Sequence, residues 1–153
     1  MLHPHGLLSL LILAITLAAP SAHADICGYP EKGTLVVSRE GQTVTTFQVA
    51  LAETRDQYRR GLMGCDHMRH GTGLLFIYPD AGQRVFWMKN TPLELAIIFT
   101  SAKGQILAIE RGQPHSTRRI RSPAKVPYVL EINFVEAVRL RVGDRISLRR
   151  IPQ

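Results

Sequence analysis

The 153-residue chain has no uncharged apolar run of the about 18 to 20 residues that a membrane-spanning helix needs. This absence excludes a bundle of transmembrane helices. The chain also has no internal repeat, no linker-like segment and no low-complexity stretch, so nothing in it indicates a second folded domain. Its 45% content of hydrophobic residues excludes a disordered tail. We therefore expect one folded domain.

Several motifs for catalysis or cofactor binding are also absent. There is no Gly-rich phosphate loop and no Gly-x-Ser-x-Gly turn that would present a nucleophilic serine. His115 directly precedes Ser116, and adjacent residues do not aim an imidazole at a hydroxyl. His67 and His70 lie close to Cys65, but this spacing matches no specific zinc motif. The sequence therefore predicts neither a metal site nor a cofactor.

The apolar run that does occur, at residues 7–19, predicts a secretory signal peptide. It is too short to cross a bilayer as a helix, and the small residues Ala22 and Ala24 that follow suit signal peptidase. Removal of residues 1–24 would release a domain of residues 25–153 into the periplasm or the extracellular space, without a transmembrane span. No Lys or Arg precedes the run, and an uncleaved buried helix is the alternative.

The chain has only two cysteines, Cys27 and Cys65, and both lie in the part expected to be exported. An oxidising compartment permits a disulfide between them. It would close a loop of about 39 residues and stabilise the fold by roughly 4 kcal/mol. Two unpaired thiols are the alternative, because spacing in the sequence does not establish disulfide geometry.

Acidic residues are few, 12 against 19 Lys and Arg, and the net charge of +7 is unevenly distributed. Residues 25–110 hold nine basic and nine acidic side chains, whereas residues 111–153 hold ten basic and three acidic ones. We call four residues of the irregular segment 111–127 the basic patch: Arg118, Arg119, Arg121 and Lys125. Export and the lack of interleaved aromatics make nucleic acid an unexpected partner. The alternatives are an anionic envelope surface or glycan, and a solvated loop.

Short β-type runs between turn signals predict a mainly β protein. Thr54 and Gln57 form a capping-box pattern that predicts a helix, and a second short helix is expected at residues 135–141. The predicted fold is a single-domain β-sandwich or barrel-like structure with one or two short helices. The predicted strands are residues 34–38, 44–52, 74–78, 84–88, 93–100, 105–110, 128–134 and 145–151.

Six short strings of this sequence occur in the order and spacing of a known family. They are Arg60-Gly61-Leu62-Met63, Gly73-Leu74-Leu75-Phe76, Phe86-Trp87-Met88-Lys89-Asn90-Thr91, Ile97-Ile98-Phe99, Val129-Leu130-Glu131 and Val142-Gly143-Asp144. Over about residues 43–150 the sequence resembles the bacterial and archaeal family called domain of unknown function 192. The resemblance implies a compact, sandwich-like β domain that is often exported, and it implies no reaction. The family usually has an Asp where this chain has Ala96, and Glu94 would lie on the same side of a strand.

The string around Trp87 is the first candidate binding site. On a strand, Trp87 and Lys89 share one face while Phe86 and Met88 share the other. If Phe86 and Met88 are core residues, an indole lies beside an ammonium group and the amide of Asn90. This set suits a sugar ring or a small anion. In the alternative, Trp87 is a core anchor covered by Lys89, and the residues that follow form a turn.

Glu131 lies in the otherwise apolar run 128–134 and is the second candidate. A buried carboxylate needs a partner, and Lys89, Arg60 or Arg55 would supply one in a purely structural ion pair. In the functional alternative, Glu131 is a general acid or base in a cleft and has a shifted pKa.

These observations favour a protein that binds a small or glycan-like ligand, and they favour binding over catalysis. The candidate ligand-binding residues are Trp87, Lys89, Asn90, Glu131, Arg60, Glu94 and His115. One alternative is an enzyme that acts on an envelope component, with Glu131 or Glu94 as acid or base and His115 nearby. Another is an accessory protein that docks through the basic patch. We expect the basic patch to be separate from the site around Trp87 and Glu131.

Overall fold

A computed structural model describes residues 25–152, in which the chain forms ten strands and two short helices. The predicted signal peptide lies outside the described residues. The helices are α1 (Arg55–Arg60) and a 3₁₀ helix (Phe134–Arg139). The strands are β1 (Asp25–Ile26), β2 (Tyr29–Arg39), β3 (Gln42–Ala52), β4 (Thr72–Gly82), β5 (Val85–Phe86), β6 (Leu95–Thr100), β7 (Ile106–Gly112), β8 (Ile120–Arg121), β9 (Val126–Asn133) and β10 (Arg145–Arg150). Within residues 25–152, no helix has the length and apolar character needed to cross a bilayer.

Eight of the strands form one mixed sheet in the order β1-β2-β3-β4-β9-β6-β7, with β10 also paired to β2. Within this sheet only β3 and β4 pair in parallel. Parallel neighbours need a long crossover connection, and the connection between these two strands contains α1. One bridge, between Gln105 and Arg145, links the two ends of the sheet at a corner. The sheet is otherwise open and does not close into a barrel. Strands β5 and β8 form a separate two-stranded sheet.

The large sheet separates two hydrophobic cores. In β6, which is buried throughout, Leu95, Ile97 and Phe99 face one core while Ala96 and Ile98 face the other. This is expected for a central strand with both faces covered. We call the side with Ile97 the site face. The small sheet covers this side and adds the core residues Phe86 and Ile120, whereas β10 and the 3₁₀ helix cover the opposite side.

The mainly β fold with two short helices is confirmed, and each of the eight predicted strands overlaps an observed one. Thr54 and Gln57 form the predicted capping box: the Thr54 hydroxyl accepts from the Gln57 amide, and the Gln57 side chain accepts from the Thr54 amide. The second helix occurs as the 3₁₀ helix. The prediction that segment 111–127 is irregular is wrong at its two ends, where residues 111–112 belong to β7 and residues 126–127 to β9. It is also wrong at Ile120–Arg121, because these residues pair with β5.

Cys27 and Cys65 form a disulfide, with their Cα atoms 5.4 Å apart. The bond joins the turn between β1 and β2 to the loop that follows α1. It leaves no free cysteine among residues 25–152. Of the two alternatives that the sequence left open, the disulfide is thus correct and the pair of free thiols is not. A disulfide of this kind is consistent with folding in an oxidising compartment, and therefore with export.

Candidate functional site

A cleft of about 310 Å³ opens on the site face, between α1 and the small sheet. We call it the Glu131 cleft. Its walls contain five aromatic side chains: Tyr58, Phe76, Tyr78, Phe86 and Trp87. The rings support one another, because Phe76 meets Phe86 edge to face at 5.0 Å and Tyr58 stacks near Tyr78 at 4.4 Å between centroids. Aromatic walls of this kind suit a ligand with a flat, partly apolar face.

Glu131 lies at the base of this cleft. Strand β9 holds it between Leu74 of β4 and Ile97 of β6, and only 4% of its surface is exposed. Within the described chain, its Oε2 atom has no hydrogen-bond partner. Burial raises the pKa of Glu131 to about 8, so that its carboxyl is mainly protonated at neutral pH. Glu131 therefore presents an unused hydrogen-bonding group to the cleft.

The structural ion pair considered for Glu131 is not formed. None of the ion pairs among residues 25–152 includes it. Arg60 instead donates from Nη2 to the carbonyl of Cys27 at 2.7 Å, and its guanidinium lies 4.6 Å from the Tyr29 ring centroid. Lys89 lies over the Trp87 ring. These two cations thus have other partners. The third candidate, Arg55, is exposed and forms no ion pair within the described residues.

Gly61 keeps the space in front of the Glu131 carboxyl open. This residue ends α1 at a φ of +48° and accepts a hydrogen bond from the Tyr29 hydroxyl at 3.0 Å. A Cβ atom at this position would lie 3.5 Å from Cζ of Phe76 and 3.9 Å from Oε2 of Glu131. In the sequence, Gly61 stands out only as part of the string Arg60-Gly61-Leu62-Met63. Its part in the cleft depends on how the end of α1 packs over β9.

Trp87 lies at the rim of the cleft with 44% of its surface exposed, whereas Phe86 and Met88 are buried. The predicted alternation is therefore correct, and Trp87 is not a core anchor. Lys89 places its Nζ atom 5.3 Å from the Trp87 ring centroid. Asn90 lies in a turn at a φ of +54°, and its carbonyl accepts from the Gly64 amide at 2.9 Å.

Glu94 and His115 lie elsewhere and do not line the Glu131 cleft. The Glu94 carboxylate pairs with Arg111 and borders a groove beside the 3₁₀ helix. The backbone amide of His115 donates to the Thr91 carbonyl at 3.0 Å, and its side chain is exposed. The structure thus does not bring these two candidates to Glu131. Within residues 25–152, no group of three or more His, Cys, Asp or Glu side chains is arranged to hold a metal ion.

One member of the basic patch, Arg119, lies beside the cleft, so the patch is not wholly separate from it. In the small sheet, Phe86 pairs with Ile120, which brings Arg119 next to Trp87. Arg119 and Trp87 line a hollow of about 180 Å³. The sequence contains one signal for this strand, the apolar residue Ile120 between two arginines, and this signal was not used in the prediction. The other three members of the patch, Arg118, Arg121 and Lys125, are exposed.

Comparisons with known proteins identify a family without an established activity. The model of the family domain of unknown function 192, described as "Uncharacterized ACR", matches residues 35–148. A similar solved structure is a Sinorhizobium meliloti protein described as a candidate transcription regulator: it is 33% identical, with a TM-score of 0.71 and coverage of 78% of this chain and 95% of that chain. Another is a protein of unknown function from Novosphingobium aromaticivorans, which is 26% identical, with a TM-score of 0.75 and coverage of 85% and 94%. No curated protein matches. This chain therefore belongs to the domain of unknown function 192 family.

Proposed function

We propose that this protein binds a small sugar or sugar-like ligand in the Glu131 cleft. The observation that carries the proposal is the unpartnered Oε2 atom of Glu131 at the base of an aromatic-walled cleft. Leaving a buried polar group without a partner costs about 1 to 3 kcal/mol. A ligand that forms a hydrogen bond with this carboxyl removes this free-energy cost. The energy gained in this way contributes to the affinity for the ligand.

The cleft matches a single ring in size and chemistry. Its volume of about 310 Å³ lies at the lower end of the range for small-molecule sites, roughly 300 to 1,000 Å³. The half-exposed indole of Trp87 offers a flat face for the C–H groups of a sugar ring. The protonated carboxyl of Glu131 donates a hydrogen bond to a hydroxyl or carbonyl oxygen of the ligand.

Binding is favoured over hydrolysis of a glycan. Most glycosidases use two carboxyl groups, about 5 to 10 Å apart, on either side of the bond that is cleaved. Among the described residues that line the cleft, Glu131 is the only one with a carboxyl group. A single buried acid suits the recognition of a hydroxyl group better than the cleavage of a glycosidic bond.

The compartment in which the protein meets its ligand follows from the proposed export. The disulfide between Cys27 and Cys65 supports an oxidising environment. The predicted signal peptide at residues 1–24 indicates the route. On this proposal, the ligand is a component or product of the cell envelope, encountered in the periplasm or outside the cell.

Thermal-shift and calorimetric titrations with neutral and acidic mono- and disaccharides test the proposal. The protein is purified after expression of the complete 153-residue chain. A ligand present at 100 times its Kd should stabilise the protein by about 2.7 kcal/mol. Trp87→Ala should weaken binding at least tenfold, whereas Glu94→Gln, which changes a residue outside the cleft, should leave the affinity unchanged. If no sugar shifts the unfolding temperature at millimolar concentration, the proposal is wrong.

A further inference from the structure

Arg119 and Trp87 line a hollow that adjoins the Glu131 cleft. Its volume is about 180 Å³, and it is lined by Val85, Phe86, Trp87 and Arg119. The first three of these residues also line the Glu131 cleft. The two cavities therefore have these three residues as common walls. A ligand on the Trp87 ring would thus lie next to the hollow that Arg119 lines.

The residues around these neighbouring cavities are positively charged. Arg59 and Arg60 line the Glu131 cleft, and Lys89 lies over the Trp87 ring. Within residues 25–152, Arg119 takes part in no ion pair. Its guanidinium therefore keeps the paired N–H groups that bind the two oxygens of a carboxylate or phosphate.

We infer that the ligand of the Glu131 cleft is an anionic sugar whose carboxylate or phosphate group binds Arg119 while its ring lies on Trp87 and one hydroxyl bonds to Glu131. This inference rests on the proposed function and names the class of its ligand. A cationic ligand is disfavoured because it would meet Arg59 and Arg60, which line the cleft. A neutral sugar would leave the guanidinium of Arg119 unused.

Two other anionic partners fit the geometry less well. Proteins that bind single-stranded nucleic acid generally present several aromatic platforms to successive bases. In the described part of the chain, Trp87 is the only exposed aromatic residue. A flat layer of lipid headgroups would contact the exposed side chains of the basic patch, whereas the hollow beside Trp87 is concave.

Titration calorimetry with matched acidic and neutral probes tests the inference. The probes are digalacturonate, its neutral counterpart digalactose, and galactose 6-phosphate, each at low and at physiological salt. We expect at least one acidic probe to bind ten or more times as tightly as digalactose. Either acidic probe supports the inference, and the preference between them identifies the acid group.

Two variants of equal charge distinguish a local contact from a general electrostatic effect. Arg119→Ala should weaken binding of the acidic probe about tenfold and leave digalactose unaffected. Arg121→Ala removes the same charge two residues away, from a residue that lines neither cavity, and should change the affinity less than twofold. Equal affinities for acidic and neutral probes, or equal losses in the two variants, would overturn the inference while sugar binding stands.

The remaining outcomes separate the inference from the proposed function. If no probe binds and no sugar shifts the unfolding temperature, both the inference and the proposed function are wrong. Sedimentation with phosphatidylglycerol vesicles provides a further test. Salt-sensitive binding to these vesicles that is lost equally in Arg119→Ala and Arg121→Ala, but retained in Trp87→Ala, would overturn the inference in favour of docking through the basic patch.

Discussion

Val85 pairs with Arg121 across the two-stranded sheet, and this register joins the most basic segment of the chain to its aromatic cleft. Arg119 lies beside Trp87 as a consequence. The excess of positive charge in the C-terminal part of the sequence is therefore not confined to a separate surface. Part of it borders a cavity that is suited to a ring-shaped ligand.

Replacement of Glu131 by Gln should stabilise the protein at neutral and alkaline pH. The folded state holds the Glu131 proton up to a pKa of about 8, whereas the unfolded state releases it near 4.5. Between these values the folded state binds more protons, so wild-type stability falls as the pH rises from about 4.5 to 8 and is level above. At pH 7 this difference between the two pKa values lowers the free energy of unfolding of the wild type by about 3 kcal/mol. Gln carries no such cost.

Urea unfolding at pH 4.5, 7 and 8.5 measures this effect. Glu131→Gln should match the wild type near pH 4.5 and exceed its stability increasingly at the two higher values. Glu94→Gln is the control, because Glu94 forms a partly exposed ion pair worth at most about 1 kcal/mol. A loss of stability in Glu131→Gln at pH 8.5 would mean that the ionised carboxylate has a partner.

Binding of an acidic sugar should weaken as the pH rises through about 8, because an ionised Glu131 repels the ligand's negative charge. Among the described residues, the ionisable groups that respond to the charge of this carboxyl are Tyr29 and Tyr78. Burial raises the pKa of Tyr29 and brings that of Tyr78 to about 12, so neither changes charge in this range. Calorimetry from pH 6 to 9 should show the decline in the wild type and a level profile in Glu131→Gln. A decline that persists in the variant would assign the titration to the ligand or another residue.

Loss of the disulfide should destabilise the fold by roughly 4 kcal/mol, since the bond spans 38 positions of the chain. We expect the double variant Cys27→Ser/Cys65→Ser to unfold roughly 15 °C below the wild type in a calorimetric scan. A reductant should lower the unfolding temperature of the wild type by a similar amount and leave the double variant unchanged. A double variant as stable as the oxidised wild type would contradict this expectation.

Gly61→Ala should reduce both stability and ligand affinity. The positive φ of Gly61 imposes about 1 to 3 kcal/mol of strain on a residue with a Cβ atom. That atom would also narrow the cleft in front of Glu131. Gly64 has a φ of +75° with open space around it, so Gly64→Ala should introduce strain without changing affinity. Equal effects of both variants on sugar binding would show that Gly61 has no part in the cleft.

Asp144→Asn should destabilise the protein by about 2 kcal/mol. The Asp144 carboxylate accepts from Nε and Nη2 of Arg39, at 2.7 and 2.9 Å, and from the Arg141 amide at 2.8 Å. The hydrogen bond from Arg39 is the main reason that the pKa of Asp144 lies below its usual value. The stabilisation is therefore present at neutral pH and is lost as the pH falls below about 4. Urea unfolding should show little effect for the control Asp80→Asn, because Asp80 is largely exposed in its pair with Arg84.

Local patterns in the sequence predicted much of the fold. Alternation with a period of two placed Phe86 and Met88 on one face and Trp87 on the other without knowledge of any neighbour. The structure then showed that the face with Phe86 and Met88 is the core. The capping box located the start of α1 in the same way, because its hydrogen bonds join residues three apart. These features depend on the geometry of residues within three positions of one another, so the local sequence is enough to predict them.

The partners of Glu131 and Arg119 were decided only by the tertiary structure. The sequence identified Glu131 as a charged residue in an apolar strand, but not that Arg60 would bind the Cys27 carbonyl and leave the carboxyl unpaired. It marked Arg119 as part of a basic segment, but not as a neighbour of Trp87. The pattern within a strand determines which face a side chain occupies. The register between distant strands determines which side chains meet there, and that register depends on the packing of the whole sheet.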